Sequence, residues 1–479
     1  MWLEKIYEHA PVSVQNLMVS IKGRQIHRVR YLSDAHQKAG RRLLENERLS
    51  PDALRALQFQ KFRAFVEHCY CLSPYYRRTF EAGGLHPQDI KQVDDIVHIP
   101  VMSKQDLRAH TETFYTQPVQ RNMVAVHTSG TTGSPLTVYF SPEDISRRYA
   151  FLERCRRWAG VQIGQHRASF TGQSIIPNRQ TKPPFWRFNR PGNQLLCSSY
   201  HLAPEYLPAY VKALAEFQPQ MIDGYPSSIH IVAEHILRSG DTGKINPQAI
   251  LVSAETVLPH QRRAIESAFQ CKLYNQYASS EGAPFVSECR LGCLHIHLDS
   301  GLFEILKPDG FPAGPGEAGQ MVVTSFTSHI TPLLRYAIGD VAVLPDEETR
   351  CACGLPFPTF EAIIGRVDDI LYTPDRGFVG RLDTVFKKLP NSIIEAQIVQ
   401  TAPEQIVLRL VPDSSRYEPA HAELVVKEMR KRLGEVVRID IDVLETIERS
   451  ANGKMRPVIN LCGGQLPAAL RYDIQEAGE

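Results

Sequence analysis

The chain has 479 residues, 43% apolar and 22% charged, an ordinary balance for a folded protein of more than one folding unit. Its 54 basic and 52 acidic side chains leave a formal charge of +2, which gives no electrostatic reason to expect nucleic acid or an anionic membrane as partner. No run reaches the ~20 apolar residues that span a bilayer. The N-terminal MWLEKIYEHAPVSVQ has no basic region leading into an apolar run, so a cytoplasmic protein is expected. Ten cysteines in such a chain argue against a disulfide framework. Four of them fall in two close pairs, Cys289/Cys293 and Cys351/Cys353.

Residues 1–115 read as mainly helical. Leu54, Leu57, Phe62, Phe65 and Val66 recur at helical spacing, with Arg55, Gln60 and Lys61 opposite, until SPYYRR ends the helix. VMSKQDLRAH predicts a short helix capped by Ser103, with Asp106 in its first turn. From 122 to 340, strand-like runs (MVAVH, LTVYF, RASFTG, MIDGY, AILVSA, KLYNQY, GQMVVTSF) alternate with helical PEYLPAYVKALAEF, SSIHIVAEHILRSG and HQRRAIESAF. That alternation predicts an α/β architecture with a largely buried sheet. Pro and Gly are frequent near 345–365. Beyond lie strand-like IIEAQIVQ, QIVLRLVP and RIDIDVL, and the helix HAELVVKEMRKRL with Val425, Met429 and Leu433 on one face. The expected division is a large N-terminal domain, 1–365, and a small α+β domain, 366–479.

His127-Thr-Ser-Gly-Thr-Thr-Gly-Ser-Pro135 holds two glycines and five hydroxyl side chains. Glycine lets backbone N–H groups close on an anion, and hydroxyls can bond phosphate or ligate Mg²⁺. The loop lacks the Gly-Lys-Ser/Thr ending of a P-loop and leads into a strand pattern, LTVYF, where a P-loop opens a helix. The pattern is therefore a strand–loop–strand phosphate grip, or a flexible surface turn.

TSGTTGSP resembles the phosphate loop of the acyl-activating, adenylate-forming superfamily, although Ser134 stands where that family often has Lys. Further segments follow in the family's order. Ser253-Ala254-Glu255 follows the strand AILV, as the adenine-contacting loop does. Tyr274-Asn-Gln-Tyr277-Ala-Ser-Ser-Glu281 is similar to the family's aromatic–Gly–x–x–Glu segment, with Ala278 in place of Gly. Arg335-Tyr336-Ala-Ile-Gly339-Asp340 resembles its Tyr–x–x–Gly–Asp motif, Gly365-Arg366-Val-Asp368-Asp369 its hinge, and Ser450-Ala-Asn-Gly453-Lys454-Met-Arg456 its Gly–Lys loop. The resemblance implies ATP and Mg²⁺ as cofactors and a small carboxylic acid as substrate. Thr128, Ser129, Gly130, Thr131, Thr132 and Gly133 would hold phosphates. Ala254, Glu255, Tyr277 and Ser280 would border the nucleotide, Asp340 would accept from the ribose hydroxyls, and Arg366 would contact the nucleotide. Glu281 would hold magnesium, Lys454 would stabilise charge between the acid and the α-phosphate, and Asp368 would be the pivot of a mobile small domain.

Ser73-Pro-Tyr-Tyr-Arg-Arg-Thr-Phe80, IPVMSKQDLR and Gly224-Tyr-Pro-Ser227-Ser resemble the phenylacetate–CoA ligase-like branch, which includes capsule-biosynthesis homologues. Some members bind zinc, and the matching residues are Cys289, His295, Cys351 and Cys353, with Cys293 and His297 as replacements. Such a closed Cys₃His set would be structural. After the hinge the chain reads LYTPDRGFVGRLDTVFKKLPNSIIEAQIVQ, closer to the capsule-type homologues. The acceptor is then the CoA thiol, a carrier protein or an amine, and an inactive zinc-stapled scaffold is the rival outside enzymes. By analogy Phe170, Tyr225, Ala278 and Phe285 would approach the acid, with an aromatic or hydroxylated acid and a homodimer both compatible.

Overall fold

The computed structural model describes residues 2–127, 137–177, 180–307, 309–346, 350–366, 371–374, 377–379, 382, 385, 390, 392–450, 453 and 455–462. The chain forms two compact units. One gathers Met1–Gln25, Gly160–Asn275 and Ile364–Leu470, and the other gathers Ile26–Ala159 and Gln276–Ile363. No helix among the described residues is long and apolar enough to cross a membrane.

In the first unit a parallel sheet is built around the strand Arg167–Thr171. It pairs with Gln194–Ser198 on one side and Met221–Gly224 on the other, and Met221–Gly224 pairs in turn with Ala249–Ser253. Trp186–Asn189 closes the edge antiparallel to Gln194–Ser198. The helices Leu207–Phe217, Pro226–Ser239 and Pro259–Phe269 return the chain between strands. Their apolar faces (Leu214, Ile229, Val232, Ile265) are buried with Ala168, Phe170, Ile222 and Val252 of the strands. Chain order reverses on either side of Arg167–Thr171. In open parallel sheets such a point leaves a ligand crevice at the carboxyl ends of the strands. Gly224 ends one of these strands at φ +143, where a Cβ would lie 1.9 Å from the Phe170 carbonyl oxygen; no other residue fits there.

The same unit holds a second sheet, ordered Arg438–Val443, Gln405–Pro412, Ile393–Ala402, Val458–Asn460. The helix Pro419–Leu433 buries Val425, Met429 and Leu433 in its core, the face expected from the four-residue spacing. Leu258, at the start of Pro259–Phe269, belongs to that core too.

The second unit carries the helices Asp34–Asn46, Pro51–Leu72 and Pro74–Ala82, and Ser73 separates the last two. Ser103 and Asp106 make the expected reciprocal cap on Lys104–Ala109. The strands Gly301–Leu306, Ala318–Ser325 and Tyr336–Val343 form an antiparallel sheet. A smaller antiparallel set joins Gln276–Tyr277, Val286–Glu288, Leu294–Ile296 and Thr359–Phe360. The helix Pro142–Trp158 has no counterpart among the predicted elements. Its capping box, Ser141 with Asp144, is readable, but its buried face includes Asp144, Ser146, Arg148 and Arg154, so hydrophobic periodicity does not report it.

Candidate active site and cysteine cluster

The strands Val124–His127 and Thr137–Phe140 pair antiparallel, with His127 opposite Thr137. The phosphate-loop sequence is thus the connection of a hairpin, in keeping with a strand–loop–strand reading. Thr128, Ser129, Gly130, Thr131, Thr132 and Gly133 themselves lie outside the described residues. Thr331 fastens the second strand, its hydroxyl accepting the Tyr139 N–H at 3.0 Å.

In the same unit the Tyr277 hydroxyl donates to Asp340 at 2.7 Å, so two side chains quoted from separate motifs are bonded to each other. Four residues on, Glu281 is only 4% exposed, and no hydrogen bond from the described residues reaches its carboxylate. The loop that bears it hangs on a guanidinium the sequence did not single out. Arg148, itself buried, donates to the carbonyls of Gly282 (2.9 Å) and Ala283 (3.1 Å), to the Thr327 hydroxyl (2.8 Å), and at longer range to Ser279 O. It also lies over the ring of Phe285, 4.7 Å from the centroid. Burial lowers its pKa to about 10, against the pull of Asp144, Tyr149 and Glu281; it stays charged at neutral pH. Ser280 is exposed on this loop. Arg335, at φ +52, precedes Tyr336 and pairs with Glu304 at 3.0 Å, which fixes the start of the strand carrying Asp340.

In the other unit the loops at the strand ends carry Tyr225, Ala254 and Glu255. Ala254 is exposed and sits at φ +71. The Glu255 carboxylate accepts from the Ser227 N–H (3.1 Å), the Ser227 hydroxyl (3.0 Å) and the Met455 N–H (2.8 Å). Burial raises its pKa, opposed by these donors and by Arg449. Phe170 and Phe285, expected near the acid, are core residues: Phe170 packs with Tyr210, and Phe285 stacks on Phe151. Lys454 and Asp368 lie outside the described residues, and of Arg366 only the backbone is described, ending the strand Ala362–Arg366.

The four cysteine and histidine residues of the expected zinc set do meet. The ligand atoms of Cys289, His295, Cys351 and Cys353 all lie within 4.8 Å of one another. Cys289 leads into the tight turn before Leu294–Ile296, with its N–H on Cys293 O at 3.0 Å. His295 is placed by pairing with Thr359, and Cys-Ala-Cys-Gly turns at Gly354, φ +85. Cys289 Sγ and Cys351 Sγ are 3.7 Å apart, and Cys353 Sγ and His295 Nε2 are 3.2 Å apart. A tetrahedron of bonds near 2.3 Å has edges of about 3.8 Å, so the cage is of the right size. His295 Nδ1 is 2.8 Å from Phe357 O. A carbonyl only accepts, so the proton sits on Nδ1 and the Nε2 lone pair faces the sulfurs. Burial lowers the pKa of His295, which keeps it neutral as a ligand must be. Without a metal, burial and neighbouring sulfurs push Cys293 and Cys353 up to about 12. Cys293 lies beside the set but outside it. His297 is fully buried with Arg154 and Asp299.

The fold and this order of motifs define an adenylate-forming ligase architecture. The chain superposes with a TM-score of 0.71 on 2-hydroxyisobutyryl-CoA ligase in the postadenylation state in complex with R3-HIB-AMP; the two are 19% identical, over 87% of this chain and 91% of the other. It is 26% identical to the phenylacetate–coenzyme A ligase of Thermus thermophilus over 87% of this chain and 98% of the relative. It is 34% identical to Protein CapK of Staphylococcus aureus over 96% of this chain and 99% of the relative. Residues 371–461 match the CapK C-terminal domain family. The chain belongs to the CapK family, homologous to the phenylacetate–CoA ligases within the adenylate-forming superfamily.

Proposed function

We propose that the protein joins ATP to the carboxylate of a small acid, releasing pyrophosphate, and passes the acyl group from the acyl-adenylate to the thiol of CoA. The carrying observation is Glu281: a buried carboxylate with no hydrogen bond from the described residues, on the loop that begins with the bonded Tyr277–Asp340 pair. A carboxylate that accepts no protein hydrogen bond keeps its lone pairs for a hard cation. In this reading Glu281 would hold a magnesium ion, which would supply positive charge for the ATP phosphates. Tyr277 presents its ring to adenine, and its hydroxyl orients Asp340, which accepts from the ribose. Ala254, the exposed residue of its loop, borders the base. Thr131 and its neighbours hold the phosphates, Arg366 contacts the nucleotide, and Lys454 offsets charge between the two reacting oxyanions. No protein nucleophile is needed, since positioning and charge neutralisation lower the barrier.

We assign residues 366–479 to a small domain that turns about Asp368 between the two half-reactions. We assign a structural Zn²⁺ to Cys289, His295, Cys351 and Cys353, because four protein ligands fill its coordination and leave none for substrate. A reaction fed by ATP and CoA fits a cytoplasmic location.

ATP–pyrophosphate exchange against aryl, hydroxy and amino acids tests the reading. Exchange is expected with one class of acid, falling about 100-fold or more in Glu281→Gln and in Lys454→Ala. AMP release that requires CoA identifies the acceptor; adenylate formed without it points to a carrier protein or an amine. No exchange and no ATP binding would leave a zinc-stapled scaffold.

A further inference from the structure

Within the first unit a chain of charge-assisted bonds ends at Met455, the residue after Lys454. Glu395, on the strand Ile393–Ala402, pairs with one terminal nitrogen of Arg449. The other donates to the Ser227 hydroxyl at 2.7 Å. A guanidinium cannot accept, so the Ser227 hydroxyl proton must go elsewhere. It goes to Glu255 at 3.0 Å, and the Ser227 N–H joins it on the same carboxylate at 3.1 Å. Glu255 then accepts the Met455 N–H at 2.8 Å. Met455 follows Lys454 directly. Gly453, which precedes it, sits at φ +72 with its Cβ position 3.2 Å from the ring of Tyr200. Tyr200 is itself tied to Gly172 O at 3.0 Å.

These partners have two origins. Ser227 and Glu255 follow the carboxyl ends of the strands Met221–Gly224 and Ala249–Ser253. Glu395, Arg449 and Met455 belong to the C-terminal segment, which keeps its own ties: Gln397 donates to Arg456 O at 2.7 Å, and the Ile398 N–H to Pro457 O at 2.8 Å. The C-terminal segment would therefore stay folded if the link to Glu255 and Ser227 opened.

We propose that Glu255, Ser227 and Arg449 are a latch that fixes the backbone flanking Lys454. They act as positioning residues for acyl-adenylate formation and release before acyl transfer. The latch presupposes the adenylation chemistry proposed above. It gives Glu255 a duty other than contact with the base, since its carboxylate is already occupied by three donors.

Two measurements on the full-length chain decide it. The first is amide hydrogen exchange without ligands, read on peptides covering 446–461. The Met455 amide is expected to exchange about tenfold faster in Glu255→Ala and in Arg449→Met. Glu255→Gln, which keeps one carbonyl acceptor, falls between. Unchanged protection over Ala249–Ser253 certifies the fold, and where Glu255→Ala does not fold, Arg449→Met answers the same question. The second compares half-reactions. Pyrophosphate exchange should fall about tenfold, with KM for ATP moving far less, while transfer from supplied acyl-adenylate to CoA is unchanged or faster. Unaltered Met455 protection in both variants, or equal loss of both half-reactions, overturns the latch. If the wild type exchanges pyrophosphate with no acid, the adenylation reading falls by itself and the hydrogen-exchange result alone judges the latch.

Discussion

Two of the predicted motif segments, one in each unit, are each held by an arginine, and the two arginines are set differently. Arg148 is buried in the second unit and gives its protons only to neutral oxygens, chiefly carbonyls of the loop that bears Glu281. Arg449, in the first unit, keeps 18% of its side chain exposed and divides its protons between a hydroxyl and the carboxylate of Glu395. The guanidinium of Arg449 keeps an edge on water that Arg148 lacks. The Glu281 loop is therefore built as a fixture. Met455, next to Lys454 in the sequence, hangs on the carboxylate of Glu255, the contact that the proposed latch would fasten and let go.

Removing Arg148 is the severest way to break this comparison. Arg148→Met would strand the Gly282 and Ala283 carbonyls in a dry site and is expected to cost about 3–5 kcal/mol in urea unfolding. Arg148→Lys, which reaches fewer acceptors, should fall between. If Arg148→Met unfolds no earlier than wild type, the loop is not held as the geometry implies.

The cysteine cluster is a second fixture of that unit. Chelation, or Cys353→Ser, is expected to release zinc measurable by elemental analysis and to lower the melting temperature by on the order of 5 °C. Pyrophosphate exchange at low temperature should persist, because no ligand position faces substrate. Loss of exchange in proportion to zinc, with the fold intact, would make the ion catalytic.

Much of this was legible in the sequence because motif and chemistry coincide. Tyr277, Glu281 and Asp340 stand in short segments that the sequence picks out, and the structure bonds Tyr277 to Asp340. Cys289, His295, Cys351 and Cys353 are identifiable by residue type. Arg148 and Arg449 were not found, because nothing local marks a supporting arginine. Arg148 also lies on a helix whose buried face includes the polar Asp144, Ser146 and Arg154, so apolar spacing concealed the element itself. The strand Gln194–Ser198 is buried throughout and short, which leaves no alternation to detect. Phe170 and Phe285 are buried against Tyr210 and Phe151, a placement that an aromatic beside a motif does not reveal in sequence.

Acid sharpens the contrast between the units. Burial alone would raise the carboxyl of Asp299, but Arg154 and Lys61 beside it hold it well below the usual range. Its stabilising contribution is complete above the unfolded pKa of about 3.9 and is lost as pH falls towards the depressed folded value. Asp144, held low chiefly by His329 against its own burial, adds the same sign. Glu255, raised by burial, has the opposite sign: its contribution falls as pH rises through its unfolded and then its folded value. Unfolding of wild type and Asp299→Asn from pH 6 to pH 2.5 should show a steeper acid loss in wild type, worth about 1–3 kcal/mol. Parallel curves would remove Asp299 from the account.

The smallest expected effect discriminates best between a fixture and a latch. Arg449→Met breaks a pair with Glu395 whose arginine stays at the water edge, so the global cost should be only about 1–2 kcal/mol. The C-terminal core of Val425, Met429, Leu433 and Ile398 does not depend on it. Yet the same change removes the donor that orients the Ser227 hydroxyl toward Glu255, so the Met455 amide should lose protection out of proportion to the stability lost. A drop in stability as large as that of Arg148→Met would mean that the latch is part of the core, and that opening it between half-reactions is too costly to serve a catalytic cycle.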